Sequence, residues 1–132
     1  MAVPRGSRIA HPSITARQNG WTLALAGTVA PELRQSIIRL ALDTAAGTAG
    51  KRVRHSLHAD TSLVALGNQE LFVKIIRPRH GLKRLRRSIR GGAAEHVVAI
   101  AAALQRDGFR APAPILWGAE LRGGREIIVT AR

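Results

Sequence analysis

Along the chain, the spacing of apolar positions switches from a helical period to a strand period near residue 51. Leu33, Ile37, Leu40 and Ala41 recur at i, i+4, i+7 and i+8, with Pro31 suited to a first helical turn and Gly47 to the end. That spacing predicts a helix that buries one face. Upstream, residues 1–19 are polar and contain Pro4 and Pro12, so they read as a loose basic arm, and Gly20 to Leu25 reads as a short strand or an anchor for it. Thr44 to Gly50 is a link of small residues. Three strand candidates follow: Val53 to Leu57, Leu63 to Leu66 and Leu71 to Ile76, the last two joined as a hairpin through Gly67-Asn68-Gln69-Glu70. In the third, Leu71, Val73 and Ile75 point one way and Phe72, Lys74 and Ile76 the other, which sets an amine among apolar neighbours. Pro78 ends that strand. Gly91-Gly92 precedes a helix from about Ala93 to Asp107 closed by Gly108, and Ile115 to Leu121 turns at Gly123-Gly124 into Glu126 to Thr130.

The pattern describes an α+β unit: an antiparallel sheet of four to five strands with one inserted helix, preceded by an N-terminal helix. It divides into an arm over 1–19, a strand and helix extension over 20–50, and the sheet unit over 51–132. Its core must come from Leu, Ile, Val and Ala, because two Trp, two Phe and no Tyr supply the aromatic bulk. With no cysteine, the chain has no disulfide, thiolate metal site or cysteine nucleophile. No stretch is apolar for long enough to serve as a secretory signal or to span a bilayer, so the expected location is cytoplasmic, with peripheral contact at the inner membrane as an option.

Charge narrows the partners. The net charge of +13 is carried by 18 arginines and 3 lysines, a surplus that favours polyanions: nucleic acid, nucleotide phosphates or an anionic membrane face. Its densest part is Arg77, Arg79, Lys83, Arg84, Arg86, Arg87 and Arg90. His55, His58 and Asp60 are grouped too, but no further ligand stands at a helpful spacing, and they read as surface polar residues with no metal.

Lys74 on a strand and Glu95, 21 positions later on the next helix, form the pair by which kinase-like folds hold the phosphates of ATP. Each residue also has a purely structural account: an acid in a first helical turn interacts with the helix dipole, and a strand-end lysine snorkels to water. The order of strand, strand, strand with Lys, helix with Glu, strand, strand matches a protein-kinase-like small lobe. Residues 71 to 132 resemble the lipopolysaccharide kinase family, which phosphorylates heptose or Kdo sugars of the inner core. The resemblance rests on Phe72-Val73-Lys74, the basic run Leu82 to Gly91, Ala94-Glu95 with Leu104, and Asp107-Gly108-Phe109-Arg110-Ala111-Pro112-Ala113-Pro114.

That resemblance implies that Lys74 binds the α and β phosphates of ATP, that Glu95 holds Lys74, and that Mg²⁺ accompanies the nucleotide. Two departures accompany it. The segment from Lys51 to Leu66 holds no glycine where a phosphate-covering loop ordinarily has several, and Phe72 presses on the adenine pocket. Asp43, Asp60 and Asp107 lack the contexts of catalytic aspartates, so no catalytic residue is assigned. The expectation is a nucleotide-binding small lobe, inactive by itself, of an enzyme that phosphorylates a lipopolysaccharide core sugar. A large lobe or a split-enzyme partner would complete it, the N-terminal helix offers a homodimer contact, and the arginine cluster would rest on anionic lipid. The alternative from another class is a small basic nucleic-acid-binding module, favoured by the charge and opposed by the lack of aromatics between Arg77 and Arg90.

Overall fold

A computed structural model describes residues 13–78 and 113–132, and the account below concerns these. They form one seven-stranded antiparallel sheet crossed on one face by one helix. The strands are β1 (Ser13–Gln18), β2 (Trp21–Ala26), β3 (Lys51–His55), β4 (Ala59–Leu66), β5 (Gln69–Ile76), β6 (Pro114–Glu120) and β7 (Glu126–Ala131), and the helix α1 (Pro31–Ala45) follows β2. Spatial order across the sheet is β1-β2-β6-β7-β5-β4-β3.

The sheet is larger than the four to five strands expected, and the excess comes from the N-terminal part of the chain. Ser13–Gln18, read as part of a loose arm, is an edge strand paired with β2 from Ser13↔Ala26 to Gln18↔Trp21. The turn between them is Asn19-Gly20, with φ of 52° and 83°. Two successive positive φ angles give a two-residue hairpin the twist its strands need, and Asn-Gly adopts them at low cost. Strand β2 then pairs with β6, so β1 and β2 belong to the same sheet as the strands from residue 51 onward.

Alternation in β2 buries Trp21, Leu23 and Leu25, which join Val64, Leu71, Val73, Ile75, Leu116, Ile127 and Val129 beneath α1. The helix meets this layer through Ile37, Ile38, Ala41 and Leu42. The expected stripe was differently placed: Leu33 is 40% exposed and Leu40 only partly buried, whereas Ile38 and Leu42 are buried. Helical spacing proposes an apolar arc, and the sheet it lands on selects its centre. Proline at the first turn starts the helix. Its end is a hydrogen-bonded turn, with Ala46 N donating to Leu42 O, Gly47 N to Thr44 O and Thr48 N to Asp43 O.

Gly118 lies where β6 passes between β2 and β7. An added Cβ there would meet the Thr22 carbonyl oxygen at 2.2 Å and Leu23 Cδ2 at 2.8 Å, so the close approach of β2 requires glycine. On the opposite face, Ile76 and Ile128 are also buried and pack with Ala59 and Trp117.

Candidate functional site

The sheet has two chemically different faces, and the ladder register says which residues share each. Lys74 pairs with Thr61 on one side and Ile128 on the other, and Ile128 pairs with Trp117. Directly opposed residues of antiparallel strands project to one face. Lys74, Thr61, Ile128 and Trp117 therefore share a row on the face away from α1, with Phe72 and Leu63 in the next. Phe72 does share a face with Lys74. Lys74 itself is exposed, although its strand neighbours Val73 and Ile75 are buried. Position 74 lies on the face that α1 does not cover.

Strand β3 extends the row. Arg54 pairs with Thr61, so it stands on Lys74's face, separated from it by one strand. Arg52, two residues earlier, pairs with Ser62 and takes the α1 face. Two residues of a regular strand at i and i+2 would share a face; the register shift between Arg52 and Arg54 separates them. Lys51 pairs with Leu63 and adds a third cation to the Lys74 face. Arg54, Lys51 and Lys74 are all exposed. Sequence inspection singled out only Lys74, because a bulge has no reliable local signature.

One buried acid shares this face. Glu126 is 2% exposed and pairs with Ile76, which makes it the diagonal neighbour of Lys74 on the adjacent strand. It is engaged in an interaction of its own. Glu95, the partner expected for Lys74, lies outside the described residues, as do the helix expected to carry it, Arg79, Lys83, Arg84, Arg86, Arg87 and Arg90.

Arg77 is described, and its guanidinium is spent on the hairpin between β3 and β4. Its Nη1 donates to Asp60 Oδ2 at 2.8 Å, its Nε to Leu57 O at 3.1 Å and its Nη2 to Ser56 O, while its backbone N–H reaches His58 O at 2.7 Å. This residue, expected to contact external anions, instead clamps a loop of its own chain. His55 Nδ1 bonds to the other oxygen of Asp60. Burial acts to raise the Asp60 pKa, but the His55 hydrogen bond and the Arg77 charge outweigh it, and the carboxyl is held below its ordinary 3.8. The clamp gives the glycine-free hairpin a fixed shape, so β3 presents Arg54 at a set position.

On the α1 face, Arg125 organises a second polar cluster. It grips Glu120 with two bonds, Nε to Oε1 at 3.0 Å and Nη2 to Oε2 at 2.9 Å, and donates from Nη1 to Ala45 O at 2.9 Å at the end of α1. Its guanidinium carbon also stands 5.5 Å from the Trp21 ring centre. The Arg125 hydrogen bonds hold the Glu120 carboxyl below its ordinary value, with burial opposing. Beside this cluster, a cavity of about 320 Å³ opens between Thr44–Gly50 and the strand ends that carry Arg52, Asp60 and Arg77.

Among the described residues no three His, Asp, Glu or Cys gather as metal ligands, and no helix is long and apolar enough to cross a membrane. Comparison with known family models, curated proteins and solved structures returns no match.

Proposed function

We propose that the sheet face carrying Lys74 binds the phosphates of a nucleotide, in the manner of a kinase-like small lobe related to the lipopolysaccharide kinases. What supports this most directly is the exposed Lys74 on the sheet face away from α1, on the third strand of a β3–β4–β5 meander followed by a further antiparallel hairpin. An ammonium there meets a phosphate at low desolvation cost, and the neighbouring Leu63 gives a purine an apolar surface. In a completed enzyme the reaction would be transfer of the ATP γ-phosphoryl group to a sugar hydroxyl of the lipopolysaccharide core. The acceptor-orienting aspartate and the magnesium ligands would come from a second lobe. Replacing Lys74 with Met should abolish binding of a fluorescent ATP analogue while the circular dichroism spectrum stays that of the parent. Undiminished affinity in that variant would remove the proposal.

A second reading is favoured by one feature of the same face. Phe72 and Trp117 accompany Lys74, Arg54 and Lys51 there, and aromatic rings among cations are the ingredients of a single-strand nucleic-acid platform. Both aromatics are partly buried, which limits the ring area open to bases. A gel shift with single-stranded and duplex probes at moderate salt separates the two: a kinase-like lobe retards neither.

A further inference from the structure

We infer that Arg54 is a second phosphate ligand of the Lys74 site, and that the Arg54–Thr61–Lys74 row selects a chain of two or more phosphates over a single one. This rests on the reading of Lys74 as a nucleotide-phosphate ligand. The row is defined by ladder register alone: Arg54 opposes Thr61, and Thr61 opposes Lys74. Two interstrand spacings set the Cα atoms of the two cations roughly 10 Å apart. A diphosphate or triphosphate lying over Thr61 meets both side chains extended, with the threonine hydroxyl beneath it as a neutral donor. A monophosphate engages one cation and leaves the other in water.

Three observations set Arg54 apart from the general positive charge. It is exposed, and no ion pair among the described residues engages it. The bulge at Val53 turns it to the Lys74 face while sending Arg52 to the other. The hairpin that carries it is pinned from the α1 face by Arg77, through Asp60, Leu57 O and Ser56 O. A guanidinium on a clamped edge strand loses less freedom on binding than one on a loose glycine loop. This is how a glycine-free hairpin can still contribute to a phosphate site: it offers a side-chain cation instead of backbone amides.

Arg52 supplies the control, being an exposed arginine of equal charge two residues away on the opposite face. Fluorescent analogues of AMP, ADP and ATP would be titrated against the full chain, Arg54→Ala, Arg52→Ala and Lys74→Met at one fixed ionic strength, with thermal melts confirming that each variant folds. The expected result is a loss of about tenfold for the ADP and ATP analogues in Arg54→Ala, the AMP analogue unchanged, and Arg52→Ala like the parent. Equal losses in Arg54→Ala and Arg52→Ala would reduce the effect to net charge and overturn the inference, as would an equal loss for all three nucleotides. Should Lys74→Met lose binding while Arg54→Ala keeps it, this inference falls and the Lys74 reading stands. Should Lys74→Met bind as the parent does, both fall.

Discussion

Replacing Arg125 with Ala should destabilise the protein more than any other surface-reachable substitution at the α1 face. Three interactions go at once. The two bonds to Glu120 join side chains 34% and 20% exposed, so solvent screening leaves the pair worth about 1 kcal/mol. The bond to Ala45 O satisfies one of the carbonyls that a helix end leaves without a partner, about another 1 kcal/mol. The position over Trp21 contributes about 0.5 kcal/mol. Arg125→Ala should thus cost about 2–3 kcal/mol, or about 8–12 °C in melting temperature for a domain of this size. Urea and thermal unfolding read it, and a cycle with Glu120→Gln isolates the ion pair. Because Glu120 is held below its ordinary value of 4.5, the pair's contribution is full above that pH and disappears as pH falls through the folded-state value. The gap between parent and Arg125→Ala should therefore narrow in acid. A variant melting within about 2 °C of the parent at neutral pH would refute the assignment of Arg125 as the tie between β7, β6 and the end of α1.

Other expectations are equally specific. Asp60→Ala should release the hairpin clamp and raise amide exchange of Ser56 and Arg77 about tenfold, with the α1 amides unchanged; uniform acceleration would show a global effect instead. In the parent, the Asp60 contribution should be lost as pH falls through its depressed folded-state value, below the ordinary 3.8. Gly118→Ala should cost about 3 kcal/mol, because its Cβ would meet the Thr22 carbonyl at 2.2 Å in the middle of the sheet; a urea midpoint equal to the parent's would contradict this.

The clamp and the Arg125 cluster have a common structural purpose. Each ties a turn to an element distant in sequence: Arg77 holds the β3–β4 loop from the end of β5, and Arg125 holds the end of α1 from the turn residue directly before β7. On the Lys74 face the Arg132–Glu70 pair lies at the far end of β5, whereas the Arg77–Asp60 and Arg125–Glu120 pairs lie on the α1 face.

Local periodicity was enough to place α1 and the strands from residue 51 onward, since helical and alternating spacings are properties of a few adjacent residues. The alternation in β5 also put Lys74 and Phe72 on one face correctly. Asn19-Gly20 between Gln18 and Trp21 is a legible hairpin signal that makes residues 13–18 of the supposed arm a strand. Other features had no local signature. The pairing of β2 with β6 joins segments some ninety residues apart, the bulge at Val53 decides which arginine accompanies Lys74, and the Arg125 bond to Ala45 spans 80 positions. Which arc of α1 is buried was likewise settled by the sheet, which turned Leu33 outward and Ile38 and Leu42 inward. Short-range sterics and spacing write the elements into the chain, but which charges face each other depends on long-range register, and that exists only once the sheet has closed.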